Sequence, residues 1–313
     1  MLDPAPLVVH GPADLLTAIP YLLGYHPREC IVVVFVTDDG RLTCGLSTDR
    51  SSPDSFIVDA SSTAASRADT GLAYVVGYGP LSDRERLTGI AASLHRSVSI
   101  QVCLLVDDNR YYCLDRECPC TPQRGAILDS SSSVIAAEMT LRGRVALPSR
   151  EDFGAFVEPD HDAQARTAAA LSTVPDPLPD PVSVVHASLD ITAGGDQLSD
   201  EQAAYLAVAL KDTDGRSTAW LATTGETWQH DLWLDMTRRA PADCVVAPAN
   251  LLAWNAWRRG APALAWAALS KAVQALPDNT MSHLIGIVLA SGISPATLPW
   301  PLPEGTDLEG LFE

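Results

Sequence analysis

Lysine is nearly missing from this 313-residue chain: Lys211 and Lys271 are the only two, and arginine supplies the rest of the positive charge. Acidic residues outnumber basic ones 39 to 21, for a formal net charge of −18. A field of that sign repels phosphate backbones and anionic headgroups. No basic stripe reverses it locally; Arg142/Arg144/Arg150, Arg238/Arg239 and Arg258/Arg259 are short clusters of the kind that mark exposed helix ends. Nucleic acid and membrane surfaces are therefore not the expected partners.

Long apolar runs are missing as well. No uncharged stretch reaches the roughly 18 residues that a membrane span needs. The first 24 residues have no basic leader region and carry Asp3 and Asp14, unlike a secretory signal. Catalytic signatures are also lacking: there is no Gly-x-Ser-x-Gly elbow, Walker loop or His-Glu-x-x-His. The seven cysteines are an odd number, and Cys30 and Cys103 lie inside apolar runs, where a reduced thiol packs as a small hydrophobe. A cytoplasmic protein is expected.

What is present is a globular composition, 47% hydrophobic and 19% charged, on a chain long enough for two domains with separate cores. The preference for Arg over Lys, with many Ala, Pro and Asp, suggests a high-GC bacterial gene. Pro12 to Leu23 carries Leu15, Leu16, Ile19, Leu22 and Leu23 at helical spacing, with Pro12 in the first turn and Gly24 after the last. Cys30–Val36 is continuously apolar and β-branched, as in a strand buried on both faces. Asp38-Asp39-Gly40 is a hairpin turn, so Arg41–Ser47 should return antiparallel. Residues 48 to 70 read as loop, with at most one strand (Phe56–Val58) and one short helix. Leu72–Tyr78, a helix opened by a Ser82–Glu85 capping box, and Ile100–Val106 follow as strand, helix, strand, which implies a parallel pair joined by a right-handed crossover. Asp107-Asp108-Asn109 then turns the chain into Arg110–Leu114.

Residues 117–133 read as loop, followed by helices at about 133–142, from 149, and at 161–171. The expectation for residues 1–173 is an α/β domain with a mixed sheet and flanking helices. Pro175, Pro177, Pro179 and Pro181 force an extended chain, which makes 174–195 a Pro-rich linker. Residues 196–313 read as an all-α domain, opened by a Ser199–Gln202 capping box. Within it, Ala253, Ala265, Leu269, Ala272 and Pro277 fall at the spacings of a TPR repeat, so 246–277 is a TPR-like helical hairpin whose exposed faces neighbouring helices must cover.

Three stretches resemble one family in family order over nearly the whole chain. They are Pro12 through Val34, with its Leu-Gly-Tyr-His-Pro core; Arg110-Tyr-Tyr-Cys113 with Cys118-Pro-Cys120, Gly125, Ala136-Ala-Glu138 and Pro148-Ser-Arg150-Glu; and Arg238-Arg-Ala-Pro241 through Leu251-Leu-Ala, Gly260, Ala263 to Leu269 and Pro277. The chain resembles the DUF4192 family, proteins without an assigned activity found mainly in actinobacteria. The resemblance implies a shared fold and an actinobacterial or phage origin, and brings no known chemistry. The family usually has Ser at Cys30 and adjacent cysteines where this chain has Cys118-Pro-Cys120.

The cysteine group is the most unusual local feature. Cys113, Cys118 and Cys120 form C-x4-C-x-C in a polar loop and could supply three soft ligands to Zn2+, with His26 as the fourth. A local disulfide (Cys113–Cys118 or Cys113–Cys120) and plain structural thiols fit the same residues. Gly77-Tyr-Gly79 lies where an α/β fold can hold a phosphate, although Asp83 and Glu85 would compete with an anion. Asp38/Asp39 and Asp107/Asp108 follow apolar strands and could meet on Mg2+, or simply serve their turns. Glu158, Asp160, His161 and Asp162 could offer ligands or cap the following helix. The expected function is a non-catalytic adaptor that offers its helical domain to a protein partner, with a homo-oligomer as a further possibility. The alternative is a metal-dependent hydrolase using the Cys/His loop or the strand-end Asp residues.

Overall fold

The computed structural model describes residues 9–36, 42–67, 71–115, 118, 120–129, 133–141, 145–291, 293, 295–296 and 298–301. The chain divides into two compact units, Met1–Arg150 with Ala290–Ser294, and Glu151–Leu289 with Pro295–Glu313.

The first unit runs α1 (Pro12–Leu23), β1 (Cys30–Val36), β2 (Leu42–Asp49), α2 (Asp54–Arg67), β3 (Leu72–Tyr78), α3 (Arg84–Leu94), β4 (Ser99–Asp107), β5 (Arg110–Cys113), β6 (Ala126–Ile127) and α4 (Val134–Leu141). The strands form one mixed sheet in the order β2-β1-β3-β4-β5-β6. β1 is antiparallel to both neighbours, and β3 and β4 are parallel. The parallel pair brackets α3, as the strand–helix–strand pattern requires. Every residue of β1 is buried, which explains its unbroken apolar run: both faces of this strand are covered. On one face Ile31, Val33, Phe35, Ala73, Val75 and Leu105 pack with Leu87, Ile90 and Leu94 of α3 and with Ile57 of α2. α1 ends at Gly24, in the left-handed region at φ 83, and packs through Ala18 on Ile135 and Met139 of α4.

The second unit is helical: α5 (Asp152–Phe156), α6 (His161–Leu171), α7 (Pro181–Ala193), α8 (Asp200–Ala209), α9 (Thr213–Ala222), α10 (Thr227–Arg239), α11 (Val246–Arg258), α12 (Pro262–Ala275) and α13 (Thr280–Ala290). Its helix starts are written locally. Asp160, Asp180 and Asp212 accept backbone N–H groups of α6, α7 and α9, and Ser199 with Gln202 forms the expected reciprocal cap on α8. Among the described residues no helix is long and apolar enough to cross a membrane.

Three expectations differ from the structure. Phe56–Val58 is not a strand but part of α2, whose buried face is Ile57, Ser61, Ala64 and Ala65. That spacing is helical, but Ala and Ser give it too little hydrophobic contrast to stand out. The Ser82–Glu85 capping box does not form. Leu81–Asp83 is a 3-10 turn, and the Asp83 carboxylate accepts instead from the Arg50 guanidinium at 3.0 and 3.3 Å. The stretch 174–195 contains helix α7, and the two units divide between Arg150 and Glu151, so α5 and α6 belong with the other helices. Pro181 stands at a first-turn position, where proline starts a helix rather than breaking one. Ahead of it, Val174 and Leu178 are packed against Ala204 and Val208 of α8.

Candidate functional site

The β4–β5 hairpin places the cysteine group. Asp107 pairs with Arg110 across the turn, and Asp108 adopts φ 53, which short polar side chains tolerate. The register then sets Cys113, the last residue of β5, opposite Leu104. The loop beyond it is tied at several points. Leu114 N–H donates to Cys103 O at 2.8 Å, and Cys113 N–H donates to Thr121 Oγ1 at 2.9 Å. Gly125 closes the loop at φ +72, where an added Cβ would lie 2.7 Å from the Tyr112 ring. β6 then pairs back on β5 through Arg110–Ile127 and Tyr111–Ala126.

This closure gathers three thiols. The Sγ atoms of Cys113, Cys118 and Cys120 all lie within 4.8 Å of one another, with Cys113 and Cys118 partly buried and Cys120 exposed. None of the six described cysteines is in a disulfide. The three sulfurs differ chemically. The Cys120 thiol and backbone N–H, with the Cys113 thiol, hold Cys118 below the ordinary thiol value. Desolvation raises Cys113, and it pushes Cys120 up to about 12 with help from its two neighbours. The arrangement concentrates thiolate character on Cys118, flanked by two proton-bearing partners.

His26 is not in this group. It is exposed, and its N–H donates to Leu147 O at 2.8 Å in the bridge that Tyr25 makes with Leu147. The sheet order explains the separation. β1 and β5 are three strand spacings apart, about 14 Å at the usual ~4.8 Å each. His26 precedes β1 at the end where Cys30 is level with Tyr78 and Val106, whereas Cys113 is paired two residues further along, at Leu104. The four-ligand set expected from sequence thus reduces to three thiols.

A family model described as a domain of unknown function, DUF4192, matches residues 12–296. The chain belongs to the DUF4192 family. No curated protein and no solved structure matches it.

Several of the other candidate residues of this DUF4192 chain have structural employment. Gly77 lies under α3, where an added Cβ would sit 2.7 Å from a Leu87 methyl, and Gly79 lies under Arg50, 2.9 Å from its Cδ. These glycines serve close packing at the carboxyl ends of β3 and β4. The crevice there has a cavity of about 10 Å³, room for about one water. Arg50 fills it, donating to Glu29 at 2.6 Å and to Asp83, while Arg86 donates to the carbonyls of Arg50 and Ser52 and to Asp54. A phosphate has no space beside those carboxylates. The Arg50–Asp83 lock, across 33 residues of sequence, has no local signal. Asp107 and Asp108 form their turn, and Asp38 and Asp39 lie outside the described residues. Asp160 caps α6 through Ala163 N at 3.0 Å, as one reading of its acidic cluster anticipated.

Proposed function

We propose that this protein is a non-catalytic interaction protein whose α/β unit is stapled by one Zn2+ ion at Cys113, Cys118 and Cys120. The observation that carries the metal site is the mutual 4.8 Å approach of three thiol sulfurs in a loop closed at both ends. Zn–S bonds of ~2.3 Å place tetrahedral sulfurs ~3.8 Å apart, so a contraction of about 1 Å brings all three onto one ion. A water or a nearby oxygen completes the shell. Binding deprotonates the thiols, and its free energy becomes folding free energy for the β5–β6 loop.

The charge of the site favours a structural metal over a hydrolytic one. Three thiolates give a dication a net negative first shell, which weakens its pull on a bound water. Hydrolytic zinc relies mostly on neutral imidazole with an open position. Histidine is missing from this group, and the strand-end crevice admits no substrate.

The helical unit is the interaction surface in this reading, with α11 and α12 as its TPR-like hairpin. Ala253, Ala265 and Ala272 are fully buried there, which supports close approach of two helix backbones. The partner is a protein, met in the reducing cytoplasm, where the thiols stay free. Metal analysis of chain purified without chelator tests the site. About one zinc per chain is expected, reduced to a trace by Cys113→Ser or Cys118→Ser. A metal-free native protein that binds no added Zn2+ would end the proposal.

A further inference from the structure

The last described residues, 295–296 and 298–301, form neither helix nor strand, yet they are held on the helical unit by specific contacts. One guanidinium nitrogen of Arg258, Nη1, donates to Pro295 O at 3.2 Å and to Leu298 O at 2.7 Å. Leu298 is only 5% exposed. The Trp300 indole N–H donates to the Trp220 carbonyl at 3.2 Å, and its ring lies 4.5 Å from Trp254 and 5.4 Å from Trp220, centroid to centroid. The seat is built by α9 and α11, with Trp220 set edge-on to Trp254 at 5.6 Å.

The chemistry of this contact is that of a receptor with a bound peptide. Two backbone carbonyls, one apolar side chain and one indole are recognised, and prolines bound the motif Leu298-Pro-Trp-Pro301. Arg258 meets the segment with a guanidinium bonded only to carbonyls, those of Thr224, Pro295 and Leu298, among the described residues. Among the described residues no carboxylate pairs with it, and an incoming chain's carbonyls can accept its donors equally well. Among the described residues the buried Nε1 of Trp220 has no hydrogen-bond partner, which leaves one donor in the seat unused. Indoles and an arginine are also the side chains that most often dominate binding energy at protein interfaces.

We infer that the α9–α11 cleft formed by Trp220, Trp254 and Arg258 is a peptide-binding site, that Pro295, Leu298 and Trp300 are its internal ligand, and that a protein partner enters by presenting a proline-bounded Leu-x-Trp segment. This deepens the reading of the helical unit as an interaction surface and rests on it. A tethered ligand acts at an effective concentration on the order of mM, so it masks the site from a free peptide of modest affinity by one to two orders of magnitude.

The test uses the full chain and a fluorescein-labelled synthetic peptide of residues 293–303. Trp300→Ala weakens the internal ligand and leaves the seat intact, so the peptide should bind this variant at least ~10-fold more tightly than the parent. Adding Arg258→Ala should lower that affinity about 10-fold again, and a peptide lacking its tryptophan should not bind. Equal weak binding to the parent and to a folded Trp300→Ala overturns the inference, while leaving the thiol site and the rest of the helical surface as proposed. If Trp300→Ala unfolds the helical unit, hydrogen exchange on the parent decides. The amides of Ala296, Leu298 and Trp300 should exchange at least ~10-fold faster than those of α11, as for a segment that opens locally. Protection equal to that of α11 makes the segment a fixed part of the core and overturns the inference.

Discussion

Replacing Gln229 by Met removes the polar hub of the helical unit while keeping the volume of the side chain. Gln229 is 2% exposed, and its Oε1 accepts from the backbone N–H groups of Thr224, Gly225 and Glu226 at 2.9, 3.0 and 3.1 Å. Its Nε2 donates to Ala222 O at 2.7 Å. One side chain therefore satisfies the α9–α10 loop, which also receives the indole N–H groups of Trp233 and Trp254 at Thr223. Methionine leaves three donors and one acceptor without partners. At about 1–1.5 kcal/mol for each of these four groups, the loss is roughly 4–6 kcal/mol, with little cavity cost to add. For a unit of this size that corresponds to a fall in Tm of roughly 10 °C. All seven tryptophans lie between Trp220 and Trp300, so tryptophan fluorescence in a urea titration reports this unit alone. A Gln229→Met midpoint equivalent to a change below about 0.5 kcal/mol would refute the reasoning, because the loop amides would then be solvated already.

Other consequences follow from single residues. An added Cβ at Gly215 collides with the carbonyl oxygen of Ala209, a backbone atom that cannot swing aside, so Gly215→Ala should destabilise the helical unit by about 2–3 kcal/mol in the same titration. Burial, and then the neighbouring Arg259, holds His230 below the ordinary histidine value. Its unfolded form takes up a proton near pH 6.5 and its folded form only at lower pH, so stability is full above about pH 6.5 and is lost as pH falls below it. His230→Gln should shrink the difference between urea midpoints at pH 7.5 and pH 5.5, and an unchanged difference would count against this assignment. In metal-free protein at neutral pH, iodoacetamide should reach Cys118 first. Burial pushes Cys30 and Cys244 up to about 11 and Cys103 up to about 12, and Cys120 stands equally high. Peptide mapping that finds Cys120 labelled before Cys118 would reverse the roles given to the two thiols.

Much of this architecture was legible because its causes are local. Cys30–Val36 announces a strand covered on both faces, the acidic cluster ahead of His161–Leu171 announces a capped helix, and the strand–helix–strand order implies the parallel pair. Prolines misled where position matters more than identity: Pro181 begins α7, and the stretch before it packs on α8 instead of linking domains. α2 was hidden because Ser61, Ala64 and Ala65 are too small to mark a face. At the site, the three cysteines were visible by spacing, but His26 was excluded only by sheet order, which no short pattern encodes. The Arg50–Asp83 lock, the Gln229 hub and the seat of Trp300 join side chains to groups that sequence patterns do not connect.

The central claim is that Cys113, Cys118 and Cys120 hold one ion together, and zinc-edge X-ray absorption on the metal-loaded chain tests it most directly. Three sulfur scatterers at ~2.3 Å are predicted, with one lighter atom completing the shell, and Cys120→Ser should reduce the sulfur count by one. A first shell of nitrogen and oxygen alone, or a sulfur count unchanged by that substitution, would contradict the account.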